Sequence, residues 1–144
     1  MIIAAKGQPN QLEELQSLLK AYPIVPLKIN ELDSYDIIFD LDFDDSPEQI
    51  QHYAELERKL VIVGSVKVQL EELYAELGAR PTCTIIGMNA LPTFIDRPLL
   101  ECCATHEIDQ VVATEKLNEL GLETRFVTSR VGLVTPRIVC MIIN

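Results

Sequence analysis

Short apolar runs and amphipathic stretches alternate along the chain, and each pair reads as a strand followed by a helix. Met1–Ala5 is the first strand. A helix begins at Asn10, whose side chain caps the first turn while Glu13 reaches back to it. Leu12, Leu15, Leu18 and Leu19 form one apolar stripe along that helix. PIVPL (23–27) is a second strand; its two prolines cannot donate to a ladder, which places it at a sheet edge or keeps it short. YDIIFDL (35–41) is a third. Ser46, Pro47 and Gln49 then open a helix as cap, first residue and box partner. LVIVGS (60–65) is the fourth strand, and the helix after it carries Leu70, Leu73, Tyr74 and Leu77 on one face and ends at Gly78. CTIIGM (83–88) and LLECCA (99–104) are the fifth and sixth strands. A helix from Glu107 to Leu120 stops at Gly121, TRFVTS (124–129) is the seventh strand, and Pro136, capped by Thr135, starts a last helix.

Several of these strands are apolar at every position, the mark of strands covered on both faces. Together with the repeated strand–helix order they predict an α/β fold with a doubly wound, mostly parallel sheet and helices on both faces. The chain has 144 residues and no linker or repeat, so residues 1–144 read as a single domain. Its formal charge is 12 − 22 = −10, which argues against a nucleic-acid binder, since such a protein needs a basic face. No apolar run approaches the ~20 residues that cross a bilayer, and the N-terminus lacks the basic start of a signal peptide. Cys83, Cys102, Cys103 and Cys140 form no CxxC pair, and His52 and His106 lack ligand spacing to them. The cysteines therefore read as buried small hydrophobes in a reduced, cytoplasmic compartment, with no metal site.

The stretch IIGMNALPTFIDRPLLECCA (85–104), followed by a helix and FVTSRVGLVTPRIV, resembles the 3-hydroxyacyl-CoA dehydrogenase family. Members show a GMHFFNP motif, a Glu twelve residues beyond its His, and a later PGF…NR segment. Asn89 stands at the His position, Glu101 at the matching distance, and Gly132 and Arg137 match the later Gly and Arg. Upstream, YDIIFDLDFDD resembles the family strand that ends in an acidic loop, and GSVKVQLEEL its NTSSL…EL turn and helix. The resemblance implies a Rossmann-like domain that binds NAD, and a reaction in which a His removes a hydroxyl proton while a Glu orients it.

Measured against that pattern the chain has lost much. Asn89 does not titrate near neutral pH, and Glu101 lacks the imidazole it would polarise. An ungapped alignment puts Val66 at the family Ser, with Ser65 beside it, and Pro136 at the family Asn. The catalytic positions are therefore Ser65, Asn89 and Glu101, in degenerate form. The phosphate loop GxGxxG becomes AAKGQPN, with Ala5, Gly7 and Asn10 at the glycine positions; Gly7 alone survives as a vestigial cofactor residue, and Pro9 removes a donor. Lys28 occupies the region of the ribose-binding acid, where a Lys could favour a 2′-phosphate; with the loop broken it reads as a solvated charge. The family's helical dimerisation domain does not follow in this sequence.

Three readings are open at this point. The first is a dehydrogenase-like domain without activity, used as a binding or assembly module and needing no cofactor. The second is a working oxidoreductase on an acyl-CoA or related thioester, using NAD and an altered site. The third is an unrelated α/β regulatory or scaffold domain. The multiple losses favour the first. Possible partners are an acyl-CoA or another enzyme of the family. The segment IVCMII (138–143) is apolar on every side of a helix and must be covered, either by folding back onto its own sheet edge or, as predicted here, in a homodimer with Ile138, Met141 and Ile142 in its contact.

Overall fold

The computed structural model describes residues 1–42, 47–64, 83–88, 99–104 and 107–128. In chain order these form β1 (Ile3–Lys6), α1 (Pro9–Leu18), β2 (Ile24–Pro26), a short 3-10 segment (Ile29–Ser34), β3 (Ile37–Asp40), α2 (Pro47–Ala54), β4 (Leu60–Gly64), β5 (Thr84–Met88), β6 (Leu99–Ala104), α3 (Glu107–Glu119) and β7 (Glu123–Thr128). The strands make one sheet in the order β2-β1-β3-β4-β5-β6-β7. The five from β2 to β5 are mutually parallel, β6 runs antiparallel to β5, and β7 runs parallel to β6. The expected mostly parallel α/β sheet is present, and β2 is an edge strand as its prolines predict.

The pleat sorts the apolar strands between two cores. Ile3, Ala5, Ile37, Phe39, Leu60, Ile62, Ile86 and Met88 face α1 and α3, meeting Leu15, Leu19, Ala113 and Leu117. Ala4, Ile38, Val61, Val63 and Ile85 face the other way, against Leu32 of the 3-10 segment, Tyr53 of α2 and Leu56 just beyond it. Helices therefore lie on both faces, and the all-apolar strand pattern has its explanation.

The start of α1 differs from expectation. The helix begins at Pro9 with Gln8 as N-cap, rather than at Asn10, and the Gln8 N–H donates to Gln11 Oε1 at 2.8 Å. Proline's fixed φ suits the first helical position. That shifts the start upstream, so Gln11, not Glu13, holds the third position from which a side chain reaches the cap. KINELDS, read only as a connection, contains the 3-10 segment. The end of α3 is as expected. Gly121 adopts φ +85, its N–H donates to the Asn118 carbonyl, and the Leu122 N–H donates to the Leu117 carbonyl, both at 3.0 Å. This pair of hydrogen bonds satisfies two of the last carbonyls of the helix.

The β2 edge is closed by side chains. Gln16 of α1 donates from Nε2 to the Tyr22 carbonyl at 2.9 Å and accepts the Ile24 N–H on Oε1 at 3.0 Å. Further along, the Tyr35 hydroxyl accepts the Lys28 N–H at 3.0 Å and donates to the Pro26 carbonyl at 3.3 Å. Pro26 offers no donor at all, so little of this edge is free to recruit another strand.

Candidate functional site

In an open parallel sheet, ligands bind beyond the carboxyl ends of the strands, where the chain reverses its winding direction. Here that point lies between β1 and β3, because β2 is added on one side of β1 and the rest of the sheet on the other. Two regions meet there: the β1–α1 turn, and a cavity beside it under α2.

The turn is filled by the chain itself. Gly7 follows β1, and a Cβ there would stand 2.9 Å from Gln11 Oε1 and 3.0 Å from Leu41 Cβ. At the end of β4, a Cβ on Gly64 would stand 3.3 Å from Leu41 Cα. Leu41 is buried, and its N–H donates to the Lys6 carbonyl at 2.8 Å, which fixes it between the two glycines. Gly7 is therefore required by packing within the chain. Of the donors that a helix start offers an anion, Pro9 has none, and the Gln8 N–H is taken by Gln11 Oε1.

Beside this turn, at the end of β3, stands a fully buried carboxyl. Asp40 lies opposite Lys6 in the β1–β3 register. Its Oδ2 accepts the Tyr53 hydroxyl at 2.6 Å and its Oδ1 accepts the Asp42 N–H at 3.2 Å. Burial raises the carboxyl above its ordinary value of 3.8, and the Tyr53 hydrogen bond and the Lys6 charge partly offset that rise. Tyr53 is tied at its other end as well, since Cys83 Sγ donates to its carbonyl at 3.0 Å. Burial pushes the Cys83 thiol up to about 12, so it stays protonated and inert. Cys83 and Cys102 are both buried free thiols, as the sequence suggests. The cavity beside Tyr53 has a volume of about 160 Å³ and is lined by Lys6, Leu27, Ile29, Leu32, His52 and Tyr53.

Gly7 is the one expected site residue whose surroundings are visible. Glu101 lies in β6, opposite Arg125 of β7, but its side chain is outside the described residues. Ser65 and Asn89 are outside them too, each one position beyond a described strand end, after Gly64 and Met88 respectively. Val66, the helix ending at Gly78, Pro136 and the 138–143 segment likewise fall outside. Sequence reading missed Asp40, Tyr53, Leu41 and the cavity. One signal was present: an acidic residue between Phe39 and Leu41 in an otherwise apolar strand. Nothing local marks Tyr53 as its partner.

The sheet order, the switch point and the two-faced core define a Rossmann-like α/β fold of the kind found in NAD-binding dehydrogenases. No family model matches the sequence, and no curated protein matches it. Solved structures do. An imine reductase variant from Myxococcus stipitatus in complex with NAD+ superposes with TM-score 0.69 at 17% identity, covering 99% of this chain and 59% of that one. A 3-hydroxyacyl-CoA dehydrogenase from Archaeoglobus fulgidus gives 0.66 at 13%, covering 99% and 61%. A (S)-3-hydroxybutyryl-CoA dehydrogenase from Ralstonia eutropha gives 0.62 at 14%, covering 99% and 69%. The chain thus spans about three-fifths of the length of the first two. Among the described residues, no helix is long and apolar enough to cross a membrane.

Proposed function

We propose that this chain is a 3-hydroxyacyl-CoA dehydrogenase-like Rossmann domain that acts as a binding or assembly module without dehydrogenase activity. The observation that carries this reading is the filled β1–α1 turn. Leu41 and Gln11 occupy the space against Gly7, and the turn withholds two of the backbone donors a pyrophosphate would use. A pyrophosphate there would meet the lone pairs of Gln11 Oε1. The residue types at the family's catalytic positions agree: Asn89 cannot act as a base, Glu101 has no His to orient, and Pro136 has no amide.

Calorimetric titration should show no micromolar affinity for NAD(H). Hydride transfer to acetoacetyl-CoA, followed as NADH absorbance, should be undetectable, and Asn89→His alone should not rescue it. Robust turnover by the unmodified chain would overturn the reading. It would favour instead an oxidoreductase with an altered site at Ser65, Asn89 and Glu101, using NAD on an acyl-CoA or related thioester. The NAD+ and NADP+ complexes of the structurally similar imine reductase speak for that alternative.

Assembly belongs to the same proposal. Burying Ile138, Met141 and Ile142 against a second copy would contribute several kcal/mol, at about 1.5–3 each. Light scattering should report a dimer at tens of micromolar, which Met141→Asp with Ile142→Asp dissociates; a strict monomer would exclude it. An acyl-CoA or another enzyme of the family are further candidate partners. A cytoplasmic setting fits the two buried free thiols.

A further inference from the structure

The 160 Å³ cavity beside the filled turn has a chemistry of its own. Leu27, Ile29 and Leu32 give it an aliphatic wall. Lys6 and His52 add basic groups from two different elements; among the described residues neither side chain makes a hydrogen bond, and the Lys6 ammonium is felt electrostatically by Asp40. Tyr53 closes the back, and its hydroxyl hydrogen is committed to Asp40 Oδ2. Asp40 lies opposite Lys6 in the register and feels its charge, while its hydrogen bonds come from Tyr53 and the Asp42 N–H. Among the described residues no hydrogen bond takes up the three donors of the Lys6 ammonium.

Size narrows the occupant. Pockets for whole drug-sized ligands run to about 300–1,000 Å³, whereas an apolar cavity of about 150 Å³ takes one benzene ring. A dinucleotide is far too large; one ring or one short branched chain fits.

The geometry points to a binding site for a small monocarboxylic acid with a single-ring or short branched apolar body. The body packs among Leu27, Ile29 and Leu32, and the carboxylate meets Lys6 and His52 in charge-assisted hydrogen bonds. Ile29, 66% exposed, stands at the mouth. This inference rests on the proposed binding-module function and names its ligand class.

Titration calorimetry of the full chain with benzoate, benzyl alcohol, adenosine and NADH tests it. Benzoate should bind, and benzyl alcohol, the same ring without the charge, should bind at least about tenfold more weakly, the size of one hydrogen bond to a charged group. Lys6→Met should weaken benzoate by a similar factor and leave benzyl alcohol unchanged. Ile29→Asp, at an exposed position with little part in the core, should weaken benzoate by placing an anion at the mouth; circular dichroism checks that both variants fold. Equal affinity for the two ring compounds, indifference of benzoate to both variants, or no benzoate binding at millimolar concentration would overturn the inference. So would adenosine that displaces benzoate and survives Lys6→Met, which would make the cavity a nucleobase site. Micromolar NADH binding would instead overturn the function proposed above, whatever benzoate does.

Discussion

The two halves of the carboxyl edge at the switch point solve opposite problems. At the β1–α1 turn, Leu41 is wedged between Gly7 and Gly64, and Gln11 folds back onto the Gln8 N–H, so backbone donors and space are both spent internally. A few residues away, under α2, the same sheet edge leaves a cavity where, among the described residues, the Lys6 ammonium makes no hydrogen bond. A ligand site in this fold thus consists of parts that can be closed one at a time. Closing the phosphate end does not collapse the neighbouring space, because the Asp40–Tyr53 hydrogen bond ties the end of β3 to α2 independently.

The largest effect should come from Leu41→Ala, which removes a buried side chain from the wedge. It should cost about 2–5 kcal/mol of stability in chemical denaturation. It should not create NAD(H) affinity, since Pro9 still lacks its donor; a gain of binding would show that Leu41 alone closes the turn.

Gly7→Ala should destabilise by about 1–3 kcal/mol, as overpacking does. Part of that cost should return in the Gly7→Ala, Gln11→Ala double variant, because Gln11 is a flexible neighbour that the new methyl meets. Additive losses would place the clash wholly on Leu41.

On the cavity side, Tyr53→Phe leaves Asp40 Oδ2 without that donor and should cost about 1–3 kcal/mol. The pH dependence has a definite sign. A buried carboxyl held above 3.8 binds its proton more tightly folded than unfolded. Its contribution to stability is therefore full below 3.8 and is lost as pH rises through the raised folded value. Removing the Tyr53 hydrogen bond, which lowers that value, should extend the loss to higher pH. Denaturation profiles of Tyr53→Phe and wild type that stay parallel from pH 4 upward would refute the coupling.

The smallest effect is expected far from both regions. Gln16→Ala uncovers the Ile24 N–H on the β2 edge and should cost about 0.5–1.5 kcal/mol, with no change in ligand binding.

Much of this molecule is legible without coordinates, for a physical reason in each case. A run of strand residues apolar at every position must be covered on both faces, so IIF (37–39) and LVIV (60–63) point to a two-sided sheet. Gly121 after a helix-forming run marks a helix end, and there φ is above zero. Proline at 23 and 26 announced an edge. Each signal acts within a few residues along the chain, where sequence spacing equals spatial spacing.

What only the tertiary structure decided concerns contacts between segments distant in sequence. The surviving Gly7 looks like a remnant of a phosphate loop, yet what it accommodates is Leu41, brought there by the β1–β3 pairing. Asp40 reads as the polar end of a strand, and becomes a buried carboxyl because α2 lays Tyr53 across it. Hydrophobic period and turn chemistry determine which elements form and which face they bury; whether a turn is open to a ligand depends on which side chain of another strand fills it, and no periodicity along one chain encodes that.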